Sequence, residues 1–133
     1  MVINTTNGFL SMYNEVRRFP GGITFQEKRP YAECSDGYRI SIQASENHYC
    51  SPREDGLTKY TEVELGYPNR EDELINDYAE DDDYTQTVYA YVPVDVVDAL
   101  IKKHGGITKV RTLTTPWNNG EETKSGDIGW REI

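Results

Sequence analysis

Apolar and polar residues alternate along several stretches of the chain, and along one they recur at helical spacing. Tyr38, Ile40, Ile42 and Ala44 alternate with Arg39, Ser41 and Gln43, the pattern of a strand with one buried face. Asp36-Gly37 precedes it and joins it to a strand at Tyr31–Cys34, since both turn residues tolerate positive φ. A second run sets Val63, Leu65 and Tyr67 against Glu62, Glu64 and Gly66, and Pro68 stops it. A third sets Val88, Ala90 and Val92 against Tyr89 and Tyr91. The Thr- and Val-rich stretch from Ile107 to Leu113 predicts a fourth. The best helix runs from Val94 to His104, with Val94, Val97, Leu100 and Ile101 forming an apolar stripe. Pro93 suits its first turn, Lys102, Lys103 and His104 face its negative end, and Gly105 supplies the cap.

The remaining stretches are less regular. Phe9, Leu10, Met12, Tyr13, Val16 and Phe19 predict a short apolar face, ended by Pro20-Gly21-Gly22, and Ile23 to Phe25 begins a strand. Ser45 to Thr58 reads as a polar loop. Leu74, Ile75 and Tyr78 sit at helical spacing within the acidic stretch Glu71 to Asp83, so its first half predicts one short helix, with Asp81 to Asp83 in a loop beyond it. Gly-Gly-Ile-Thr occurs at Gly21–Thr24 and again at Gly105–Thr108, which reads as a repeated lead-in to a strand rather than a duplication. Asn118-Asn119-Gly120 turns the chain once more. The expected fold is a single α+β domain over residues 1–133, with 114–133 as a candidate tail. An antiparallel sheet of about four or five strands would be packed by one main helix. Ile40, Ile42, Val88, Val92, Val97, Leu100 and Ile101 are the expected core.

Length and composition narrow the picture. A chain of 133 residues holds one core. Apolar residues make up 36%, and ten tyrosines widen what can be buried, because a Tyr ring packs while its hydroxyl stays wet. The net charge of -9 argues against direct nucleic-acid binding, which needs a basic surface. No stretch reaches the roughly 18 apolar residues of a membrane span, and the first nine residues lack a leader's basic start and apolar run. The expected location is cytoplasmic, where Cys34 and Cys50 are free thiols.

Candidate chemistry is sparse. Neither G-x-x-x-x-G-K-[ST] nor G-x-G-x-x-G occurs, so the common phosphate cradles are missing. Cys34, His48, Cys50 and His104 match no zinc spacing, and no metal or other cofactor is expected. Glu62 and Glu64 share a strand face, but nothing sets them across a cleft as glycoside hydrolysis requires. His48, Cys50 and Arg53 form the most unusual short stretch. Cationic neighbours favour a thiolate, so this loop is the candidate for a thiol enzyme or a small-ligand or nucleotide site. The strongest signal is acidic. Glu71, Asp72, Glu73, Asp77, Glu80, Asp81, Asp82 and Asp83 place eight carboxylates within thirteen residues. Such a run either keeps a surface solvated or docks a basic protein surface by imitating nucleic-acid phosphates.

Three segments also resemble a pattern found in small bacteriophage and prophage proteins. They are Ser41 to Arg53, with His48-Tyr49-Cys50-Ser51-Pro52-Arg53; Tyr60 to Pro68; and Tyr91 to Ile107, with Tyr91-Val92-Pro93-Val94-Asp95 and His104-Gly105-Gly106-Ile107. The resemblance spans roughly residues 38–107. It brings no established activity with it, so no residue role is transferred. It implies only an origin on a mobile element; the cytoplasm expected above is then that of a bacterial host cell. Analogy with small acidic phage proteins extends this to an inhibitor of host defence machinery, of the anti-CRISPR kind. The function expected is therefore non-enzymatic: an acidic surface bound to a host nuclease or other defence protein, without direct nucleic-acid or membrane contact. The rival is a ligand site or thiol enzyme on the His48-Cys50-Arg53 loop, and a phage structural or assembly role is a third reading.

Overall fold

Hairpin turns decide how the strands pair. At Asp36-Gly37 the Gly37 N–H donates to the Cys34 carbonyl, and Gly37 sits at φ +92°. The turn closes β3 (Tyr31–Cys34) onto β4 (Arg39–Gln43) in antiparallel register, Ala32 opposite Ile40. β4 pairs with β5 (Glu62–Gly66), and β5 with β6 (Val88–Pro93). On the other side β3 pairs with β7 (Ile107–Arg111), which takes β8 (Arg131–Glu132) at its outer edge. The computed structural model describes residues 1–112 and 129–133. Its main sheet has the order β6-β5-β4-β3-β7-β8. That is six strands rather than four or five, because the two-residue β8 is too short to show any alternation in the sequence. The Asn118-Asn119-Gly120 turn lies outside the described residues, as does most of the candidate tail 114–133; its last residues supply β8.

Two helices, not one, pack on the sheet. α2 (Val94–Lys103) turns Val97, Leu100 and Ile101 into the core, as its apolar stripe predicts. α1 (Thr6–Met12) is seven residues long, with Thr5 accepting the Gly8 N–H as its cap and Phe9 and Leu10 buried. Asp98 of α2 accepts both the N–H and the hydroxyl of Thr6, at 2.7 and 2.6 Å, which ties the helices together. The apolar series Phe9 to Phe19 is thus split. Its first part is α1, and its second is β1 (Val16–Phe19), which forms a separate two-stranded sheet with β2 (Ile23–Gln26).

The core is the face of β4 carrying Tyr38, Ile40, Ile42 and Ala44, covered by the two helices and continued by Val63, Leu65, Tyr89 and Val92. One expected core residue is misplaced: Val88 is half-buried and Tyr89 is fully buried in its stead. Simple alternation fails in β6 because Val63 faces Val92 while Leu65 faces Tyr89, so two residues bulge opposite one. Tyr91 takes φ +51° at the bulge, which turns its side chain outward. Both Gly-Gly-Ile-Thr copies do lead into strands, β2 and β7, with all four glycines at positive φ. At Gly106 a side chain would collide with Val2 and Asn4, where the N-terminal segment bridges Ile3 to Ile107.

Truncating Leu100 to Ala in this packed layer is expected to cost about 2–5 kcal/mol in urea unfolding. A loss below about 0.5 kcal/mol would mean that α2 does not seat on the sheet.

Candidate functional site

The acidic segment connects β5 to β6, and most of it is ordered by backbone contacts rather than by a helix. The short helix expected near its start is a single 3-10 turn, Asn76–Tyr78. Beyond it the chain folds back along the outer edge of β6. Ala79 bridges Tyr89, the Glu80 N–H donates to the Val88 carbonyl at 2.9 Å, and the Tyr89 hydroxyl donates to the Tyr84 carbonyl at 2.6 Å. At the tip, Asp81 accepts the Asp83 N–H, and this bond holds the Asp81 carboxyl below the ordinary carboxylate range. Glu71, Glu73, Asp77, Glu80, Asp81, Asp82 and Asp83 are exposed. None of these seven forms an ion pair among the described residues.

Asp72 is the exception, and it corrects the expected docking set. It is 5% exposed and turned inward. Its carboxylate accepts the Leu74 N–H, meets Lys103 Nζ at 3.0 Å and meets His104 Nε2 at 2.8 Å. The other ring nitrogen of His104 lies 2.6 Å from Asp36, in the β3–β4 turn, and Arg70 reaches Asp36 at 3.3 Å. Both ring nitrogens of His104 thus lie within hydrogen-bond distance of a carboxylate oxygen. Tyr38 stacks on this ring at 4.1 Å between centroids and 9° between planes. Burial alone would raise both carboxyls. The Leu74 N–H with His104 and Lys103 holds Asp72 below the usual range, and His104 with the Tyr38 N–H does the same for Asp36. Asp36 and His104 were not singled out together from sequence, where 68 residues separate them.

The His48-Cys50-Arg53 loop is built differently from a thiol-activating site. Cys50 is 1% exposed, and its S–H donates to the Ser45 carbonyl at 3.1 Å. Burial pushes the thiol up, away from the thiolate. His48 is pushed down to about 4 by burial and by Arg29 and Lys28, and its Nδ1 lies 2.7 Å from the Ser45 hydroxyl. It carries no charge at neutral pH to stabilise a thiolate. Arg53 is turned out over the Tyr49 ring at 5.8 Å. None of the three lines either of two surface pockets, of about 460 and 180 Å³, beside Lys28 and Thr112. Cys34 is also a free, buried thiol, pushed up to about 12 by burial and by Asp36. Among the described residues no group of three His, Cys, Asp or Glu side chains is placed to hold a metal ion. No described helix is long and apolar enough to cross a membrane.

No family model matches the chain, and neither a curated protein nor a solved structure is similar to it.

Two measurements check these assignments. A disulfide reagent near about pH 8 should leave both thiols untouched in native protein and modify two after unfolding; rapid native reaction of Cys50 would restore the thiolate reading. Because Asp36 and Asp72 are depressed in the folded state, their contribution is complete above the unfolded carboxyl range near about 3.9 and drains as pH falls through the folded values. His104→Phe, which can keep the stack on Tyr38, should cost about 2–4 kcal/mol at neutral pH and flatten the acid slope of stability. An unchanged acid slope would remove the ion network from the account.

Proposed function

We propose that this protein acts by binding, presenting the acidic segment to a basic surface of a protein partner. One observation carries the reading: seven exposed carboxylates, none in an ion pair among the described residues, occupy a segment fastened to the edge of β6. A flexible acidic tail would lose conformational freedom on docking, whereas this segment is already ordered. Charges of one sign on a fixed frame also accelerate encounter with an oppositely charged groove. A groove that binds nucleic-acid phosphates has that chemistry. The proposed partner is therefore a nucleic-acid-acting protein of a bacterial host, a defence nuclease among them, and the proposed consequence is inhibition by occupying the groove. The thiol-enzyme alternative is not taken further, because Cys50 is buried, hydrogen-bonded and shifted away from its reactive form.

The test replaces Glu80 by Gln and Asp81, Asp82 and Asp83 by Asn, which keeps an acceptor at Asp81 for the Asp83 N–H. Melting should be nearly unchanged, since exposed substitutions shift stability by less than about 0.5 kcal/mol each. Affinity capture from a bacterial lysate should yield nucleic-acid-acting proteins that wild type retains, that duplex DNA or salt displaces, and that the variant loses. Once a partner is purified, binding should weaken at least about tenfold, mainly through the association rate. Equal capture by the variant and wild type would reduce the acidic run to a solubilising face.

A further inference from the structure

Two tyrosines stand together on the surface where β6 bulges. Tyr49 is 42% exposed and Tyr91 39%, with ring centroids 5.9 Å apart and planes tilted by 35°. The backbone holds them in place. The Tyr91 N–H donates to the Tyr49 carbonyl at 3.0 Å, and the Tyr49 N–H donates to the Glu64 carboxylate at 3.0 Å. Tyr91 keeps φ at +51°, where a side chain brings Cβ against a carbonyl oxygen and glycine avoids the contact. It lies outside the core cluster, so core packing does not reward that strain. Strain retained at a bulge that aims an aromatic ring outward points to a use beyond the fold.

The chemistry around the pair selects a cation. An aromatic face attracts a guanidinium through its quadrupole, and arginine stacks better than lysine because its group is planar and weakly hydrated. One ring already carries such a contact: the Arg53 guanidinium lies 5.8 Å over Tyr49. Among the described residues no cation lies over the Tyr91 ring. The charge next to it has the matching sign. Burial raises the half-buried Glu64 carboxyl and Glu80 of the acidic segment adds to the rise, while the Tyr49 N–H, Lys28 and Arg53 act the other way. The bridge from Ala79 to Tyr89 brings the acidic segment onto β6 two residues before Tyr91, roughly 7 Å along a strand. Exposed carboxylates draw a basic surface from a distance but hold each cation weakly. Tyrosine and arginine are the residues that hold interfaces together once formed.

We propose that Tyr91, with Tyr49 beside it, anchors the docking surface by taking an arginine side chain of the basic partner over its ring. The inference rests on the acidic docking proposed above and divides the work within it. The carboxylates set the rate of encounter, and the tyrosines slow departure. It also narrows the partner: a groove lined with lysine alone meets the charge but forgoes the stacking.

The probes are oligoarginine and oligolysine peptides of equal length, titrated into the full chain and followed by NMR. Wild type should bind both, oligoarginine the tighter, with the ring resonances of Tyr49 and Tyr91 shifting. Tyr91→Gly should melt close to wild type, because glycine takes positive φ freely. It should weaken oligoarginine about two- to fivefold, the worth of an exposed cation–π contact, and leave oligolysine nearly unchanged. The variant with Glu80→Gln, Asp81→Asn, Asp82→Asn and Asp83→Asn should instead weaken both peptides alike. If Tyr91→Gly loses its fold, Tyr91→Asn replaces it with the same expectations, since asparagine also tolerates positive φ. Binding of both peptides that the Tyr91 variants leave unchanged overturns the anchor and leaves the acidic docking in place. An equal loss for both peptides overturns the choice of arginine. Binding of neither peptide by wild type overturns the anchor together with the docking beneath it.

Discussion

The imidazole of His104 holds together three segments that the sheet alone leaves separate. It closes α2, faces Asp36 in the β3–β4 turn, and faces Asp72 at the root of the β5–β6 connection. Each carboxylate also has a cationic neighbour, Arg70 for Asp36 and Lys103 for Asp72. Desolvating a histidine and an aspartate to 8% and 3% side-chain exposure is costly. The cost is offset only while every group keeps its partner, so the network tolerates one arrangement of these segments and penalises others. Its structural use is placement: the acidic connection leaves the body at a fixed point, with Asp72 pinned inward between the exposed Glu71 and Glu73.

The free edge of β6 then accounts for the rest of that connection. An unpaired edge strand invites pairing with another chain, and charge or a covering loop prevents it. Here the connection does both, bridging at Ala79 to Tyr89 and carrying Asp81, Asp82 and Asp83 past the edge. The bulge at Tyr91 interrupts the ladder further along, and the Tyr91 N–H is taken by the Tyr49 carbonyl. The acidic segment thus has a structural use at its inner side whatever binds its outer side. At the opposite sheet edge β8 covers β7, where Trp130 lies beneath the guanidinium of Arg39.

What the sequence made legible follows the range of each signal. Alternation located β4 and β5, turn chemistry located the β3–β4 hairpin, and the stripe with its glycine cap located α2, because each depends on neighbours in the chain. The bulge in β6 was hidden, since one inserted residue reverses the facing of Val88 and Tyr89 without altering composition. β8 was too short to carry a period. The helix expected after Glu71 failed for a related reason: Asp72 is drawn inward by His104, 32 residues away, and the chain follows that contact rather than its local spacing. The same contact removes Asp72 from a run whose other seven acids are exposed, a division that charge counting cannot make.

That division bears on how a charge run is read. Eight carboxylates in sequence look like one feature, but a carboxylate takes its role from what surrounds it. Asp72 has lost most of its water and recovered three donors, so it acts as a fastening. Asp82, ten residues on, is exposed and in no ion pair among the described residues, so its field extends outward over roughly a Debye length. The fastening makes the field directional: seven mobile charges would average over a volume, whereas seven charges on a connection anchored at His104 and at β6 present a defined pattern. Recognition by pattern requires both halves of the run, the buried one to fix position and the exposed ones to be met.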